Sequence, residues 1–130
     1  MLTDSPYPVL HERIVEGVVI ISVERELKGQ GETALRERLD RLVCQGHLQI
    51  LIDLRAVPYL NSMEIGRLIR SHISVRRAGG RVRLCNLSEK VMTLMRLTRL
   101  DTVLDIYSTE EAALAAVQRG DPEKTSLTLQ

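Results

Sequence analysis

The chain has 130 residues, with 18 Lys and Arg against 17 Asp and Glu and a formal net charge of +1, so no global field draws it to DNA or to an anionic membrane. Its 44% hydrophobic content suffices for the core of one domain, but Phe and Trp are absent and aromatic residues make up only 2%, so that core must be Leu, Ile, Val, Met and Ala. The same shortage removes the stacking platforms that single-stranded nucleic-acid binders use.

Residues 1–8 lack a basic segment leading into an apolar one, and no later run approaches the roughly 18 apolar residues needed to span a bilayer. A cytoplasmic protein with no membrane insertion is the expectation. Residues 14–23 are β-branched and apolar around Glu16-Gly17, which predicts a hairpin of two short strands. Gly29-Gln30-Gly31 reads as a loop, and residues 32–45 carry Leu35, Leu39, Leu42 and Val43 on one helical face before Gly46 stops the helix. In residues 47–57 the run Ile50-Leu51-Ile52 predicts a central strand covered on both sides, ended by Pro58.

A second helix over residues 62–78 follows, with Ile65, Leu68, Ile69, His72 and Ile73 as its stripe and Gly79-Gly80 as its end. His72 lies on that stripe as a packing residue, with no second ligand spaced to make a metal site. Residues 81–86 alternate basic and apolar, as a strand with one wetter face would. Ser88 opens a third helix marked by Val91, Leu94, Met95 and Thr98; its Met92 and Met95 are core filler or an adaptable partner surface, core being the commoner role. A loop and a last short strand occupy residues 100–107, and Ser108-Thr109-Glu110-Glu111 reads as a capping box opening an Ala-rich helix. The order is ββαβαβαβα, an α/β fold whose crossovers require a mixed, partly parallel sheet with helices packed on it.

Cys44 and Cys85 stand apart without a CxxC or a Cys/His cluster, so metal and redox motifs are absent and both thiols are expected to be buried. Arg76, Arg77, Arg81 and Arg83 gather around Gly79-Gly80, either as a solvated rim, the commoner role, or as a phosphate or partner patch. No P-loop is present, and no nucleophile has a base beside it, so the chain offers no catalytic centre.

The stretch richest in chemistry is Asn61-Ser62-Met63-Glu64-Ile65-Gly66-Arg67-Leu68, where a strand hands over to a helix N-terminus. Asn61 followed by Glu64 is the pattern of a capping box, the commoner reading. The alternative is a phosphate on Ser62, where unpaired backbone N–H groups and the helix dipole favour an anion.

Residues 12–117 resemble the STAS domain family, named for sulfate transporters and anti-sigma factor antagonists. The resemblance rests on Ile52-Asp53-Leu54, the spacing to Asn61-Ser62, Ile65-Gly66-Arg67-Leu68, the Gly79-Gly80 turn into Val82-Arg83-Leu84, residues 88–100, and the closing Ser108-Thr109-Glu110-Glu111-Ala112 helix. It implies a single STAS-like domain over residues 12–118, an N-terminal extension over 1–11 and a flexible tail over 119–130. It further implies a free-standing bacterial anti-sigma factor antagonist, not an enzyme. Such a protein binds an anti-sigma factor serine kinase and is switched by phosphorylation at Ser62, with a serine phosphatase acting on phosphorylated Ser62. Asn61, Ser62, Met63, Glu64 and Arg67 would form the partner contact. The chain itself would need no cofactor, ATP belonging to the kinase.

Two departures from the family pattern bear on the switch. Asn61 stands where the family has Asp, and Met63-Glu64 where it has a small residue and Gly; one change removes an orienting charge and the other adds a carboxylate that repels phosphate. Lys28 also stands where an acid is expected in Arg25-Glu26-Leu27-Lys28. A slower or less complete phosphorylation is the consequence. The same departures support an alternative, a non-phosphorylated STAS scaffold or subunit of a stressosome-like or lipid-transport complex.

Overall fold

Five strands lie side by side in the order of the chain: β1 (Leu10–Val15), β2 (Val18–Val23), β3 (Gln49–Asp53), β4 (Arg81–Cys85) and β5 (Asp105–Tyr107). This is seen in a computed structural model that describes residues 10–24 and 30–120. β1 and β2 form an antiparallel hairpin turned by Glu16 and Gly17, and the other neighbours pair in parallel. The helices are α1 (Gln30–Cys44), α2 (Ser62–Arg77), α3 (Glu89–Leu97) and α4 (Glu110–Arg119), with a 3-10 turn at Leu100–Thr102. The predicted α/β order and the mixed sheet both hold. The expectations for residues 1–9, for Arg25-Glu26-Leu27-Lys28 and for residues 121–130 lie outside the described residues.

Because strand side chains alternate between faces, the sheet has two apolar sides. Val19, Ile21, Ile50, Ile52, Val82 and Leu84 bury against α1, α2 and α3, whereas Val18, Ile20, Leu51 and Cys85 bury against α4 through Ala113. Ile50-Leu51-Ile52 is therefore the covered central strand its composition predicts, although β3 ends at Asp53, five residues before the Pro58 expected to end it. Leu35, Leu39 and Leu42 on α1, and Ile65, Leu68 and Val75 on α2, supply the helical stripes. His72 is 5% exposed on the buried side of α2, the packing residue expected. Met95 is in the core as well. Gly80 has a structural reason to be glycine, since an added Cβ would sit 2.6 Å from the Leu48 carbonyl oxygen.

Four other details differ from the sequence expectations. α1 begins at Gln30, so Gly31 is helical and not part of a loop; it lies in the first turn, where no intrahelical bond is owed. β4 has no wet face, because Arg81 and Arg83 are buried under α4. Arg81 makes a two-pronged pair with Asp105 at 2.9 and 3.0 Å, and Arg83 donates to the Gln49 amide oxygen at 2.6 Å. Two arginines of the expected solvated rim are thus internal, and only Arg76 and Arg77 remain toward the surface. The α4 cap is Thr109, whose hydroxyl accepts the Ala112 N–H at 3.0 Å, so the expected box between Ser108 and Glu111 does not form. Cys44 is exposed at the end of α1, whereas Cys85 is buried as expected.

Candidate functional site

Between β3 and α2 the chain runs through residues 54–60 in a repeating pattern: Leu54, Val57 and Leu60 go into the core while Arg55, Ala56, Pro58 and Tyr59 stay out. Burying every third residue holds the loop to the body of the domain. The Asp53 carboxylate accepts the Arg55 N–H at 2.9 Å, an Asx turn, and the Asn86 amide at 3.1 Å. Asn86 lies at φ +60, a left-handed conformation that Asn tolerates. The Ser88 hydroxyl donates to the Pro58 carbonyl at 2.9 Å. The loop leading to Ser62 is in this way tied twice to the loop between β4 and α3.

At the start of α2 the two sequence readings of Asn61-Ser62 turn out to involve different residues. Asn61 is the N-cap: its side-chain oxygen accepts the Glu64 N–H at 2.8 Å, and the Glu64 carboxylate accepts the Asn61 N–H at 2.8 Å, a complete capping box. Ser62 is the first helical residue, exposed and outside the cap. The N–H groups of Ser62 and Met63 stand in the first turn, beyond reach of any intrahelical carbonyl. An added phosphate on the Ser62 hydroxyl would meet those donors and the positive end of the helix dipole.

Of the residues singled out in the sequence, Asn61, Ser62, Met63 and Arg67 are exposed together, whereas Glu64 is 7% exposed and turned back into the cap. One neighbour was missed. Tyr59 is 51% exposed and Met63 is 63% exposed, so large apolar side chains flank Ser62 in the chain on both sides. Nothing local signalled it: the strand has already ended at Asp53, and the exposure of Tyr59 follows from the path of the loop.

Cys85, beside Asp53 in the sheet, has its thiol pushed up to about 12 by burial and then by Asp53, Glu110 and Glu111, with Arg55 opposing. Such a thiol stays protonated and unreactive at neutral pH. Among the described residues no group of three or more His, Cys, Asp or Glu could hold a metal ion. No helix among them is long and apolar enough to cross a membrane.

A family model of the STAS domain matches residues 11–113, from the second residue of β1 through the first turn of α4. The chain belongs to the STAS domain family. It is 31% identical over 107 residues to a Thermotoga neapolitana protein provisionally described as an anti-sigma factor antagonist, covering 82% of this chain and 95% of that one. The anti-sigma-B factor antagonist of Bacillus subtilis is 29% identical over 99 residues, which is 76% of this chain and 90% of that protein. The crystal structure of a Thermotoga maritima protein, also provisionally an anti-sigma factor antagonist, superposes with a TM-score of 0.77 at 28% identity, covering 85% of this STAS chain and 95% of the other. These relatives carry the name of anti-sigma factor antagonist, and each is matched over nine tenths or more of its own length.

Proposed function

We propose that this STAS protein binds a kinase-type anti-sigma factor through the exposed end of α2, and that phosphorylation of Ser62 releases the complex. The carrying observation is the division of labour at Asn61-Ser62: Asn61 and Glu64 complete the cap, which leaves the Ser62 hydroxyl on the surface at a helix N-terminus. Tyr59 and Met63 supply apolar contact area beside it, and the ties from Asp53 and Ser88 hold the loop so that docking costs little ordering entropy. The antagonist names of the relatives point to the same class of partner. The protein acts by binding and not by catalysis, ATP is held by the kinase, a serine phosphatase restores the free hydroxyl, and the cytoplasm is the site of action.

The test is incubation with the kinase-type anti-sigma factor of the same genome and ATP, followed by intact-mass and peptide mass spectrometry, with calorimetric titration of wild type and Ser62→Asp. One phosphate, located on Ser62, and weaker binding by Ser62→Asp are expected. Modification at Ser88 or Ser108 would overturn the assignment. A wild type that binds but stays unmodified, while Asn61→Asp gains phosphate, would identify a STAS binder whose switch is disabled, because Asn61 then lacks the charge that orients the reaction.

A further inference from the structure

The outer side of α2 carries a second feature. Met63, Arg67, Arg70, Ser74 and Arg77 follow one another at spacings of four, three, four and three residues, and all five are exposed. That spacing makes them a single stripe running from the Ser62 end toward the C-terminus of α2. Beside it lies a groove between α1 and α2 of about 590 Å³, with Arg36 and Asp40 on the α1 side and Leu39, Ile73 and Val75 among its lining. Four arginines there face one carboxylate, Asp40, on a chain whose formal net charge is only +1.

We propose that this groove is a docking surface for an acidic amphipathic helix of the protein partner that also contacts Ser62; the proposal rests on the Ser62 end being a partner contact. The helix dipole accounts for Arg77, which lies in the last turn, but gives no benefit to Arg70 further up the helix. Guanidinium groups are suited to two-pronged pairing with carboxylates, and a row of them at helical spacing matches carboxylates at helical spacing on a facing element. Half-buried Ile73 and the aliphatic stems of the arginines distinguish this surface from a phosphate track: they offer apolar area to the buried side of an amphipathic helix between charged rims. From Met63 to Arg77 the stripe is about 21 Å long at the helical rise, so an acidic helix of about four turns would cover it. Exposed Met63 joins the groove to the Ser62 surface, which gives the partner one continuous footprint.

Two measurements test this with separate readouts. In the first, the isotope-labelled protein is titrated with a synthetic Glu-rich amphipathic helical peptide of about 15 residues, chosen to match the stripe length. Amide shifts concentrated at Arg67, Arg70, Ser74 and Arg77, and lost in Arg70→Glu/Arg77→Glu, are expected. Shifts elsewhere, or stronger binding of an oligonucleotide or of phosphatidylserine vesicles at the same residues, would overturn the proposal. In the second, Arg70→Glu/Arg77→Glu is titrated against the kinase-type anti-sigma factor; a loss of about tenfold or more in affinity and a flatter salt dependence are expected. Unchanged affinity and salt dependence there also overturn it. If the wild type fails to bind the kinase at all, the proposed function fails, and the peptide titration alone decides the groove.

Discussion

Ser88 and Pro58 join two loops through one hydroxyl: Ser88 Oγ donates to the Pro58 carbonyl at 2.9 Å while it accepts the Val91 N–H at 3.2 Å as the cap of α3. The residue that starts α3 is therefore also the one that fixes the loop in front of Ser62. Helix capping and site positioning are carried by the same side chain.

Ser88→Ala should for that reason cost more than an ordinary cap. We expect a loss of about 1–2 kcal/mol in urea unfolding, the upper part of the range for cap removal, and a weaker complex with the anti-sigma factor. Thr109→Ala, which removes the α4 cap alone, serves as the comparison: it should lower stability and leave the complex intact. Equal loss of binding by both variants would show that the Ser88 tie does not position the site.

The Arg81–Asp105 pair sits inside the domain, with side chains 9% and 2% exposed, so removing Asp105 takes away a buried counter-charge from Arg81. Asp105→Ala should cost about 3–5 kcal/mol, whereas Arg81→Met combined with Asp105→Leu should recover most of that loss. A double-mutant cycle in urea checks both statements. A loss below about 1 kcal/mol for Asp105→Ala would mean that water reaches Arg81.

This pair also marks where sequence reading stops. The apolar run Ile50-Leu51-Ile52 and the stripe Ile65, Leu68 and Ile69 report burial directly, because their periodicity is set by the element they belong to. Arg81 and Arg83 alternate with apolar residues as they would on a half-exposed strand, and nothing local reveals that α4 covers that side or that Asp105, 24 positions on, supplies the counter-charge. At Ser108-Thr109 two hydroxyls offered caps one residue apart, and it is Thr109 whose side chain accepts the Ala112 N–H. Cys44 was legible in principle: two positions past Leu42 it falls about 200° around α1 from the buried stripe, on the solvent side. At the site, Asn61 and Glu64 were readable as a cap, but the exposure of Tyr59 depended on the path of the loop.

His72 gives the domain a pH response. Burial lowers its pKa; Asp105 opposes the effect, and Arg76 and Arg81 reinforce it. As pH falls below about 6.5, the ordinary histidine value, the unfolded chain takes up a proton that the folded chain refuses, so stability declines. The decline levels off once the pH passes below the folded pKa, and above the ordinary value the contribution is fully present. Urea midpoints at about pH 7.5 and about pH 5.5 should therefore differ more for wild type than for His72→Gln. Equal differences in the two proteins would assign the pH dependence to other groups.

A charge at Ser62 should act on the surface and not on the fold. At the first position of α2 it gains about 0.3–1 kcal/mol from the helix dipole, and the Glu64 carboxylate, drawn back onto the Asn61 N–H at the same helix end, opposes that gain through space. Ser62→Asp should therefore leave the urea midpoint close to that of wild type even as affinity for the kinase falls. In Glu64→Gln the cap keeps its acceptor oxygen, so the repulsion is removed without loss of the box. Adding Ser62→Asp to that background should then raise stability, and the cycle between the two sites should show a favourable coupling. If Ser62→Asp instead lowered the midpoint as far as Ser88→Ala does, loss of binding would reflect a loosened helix end, and Ser62 would be a structural residue and not a switch.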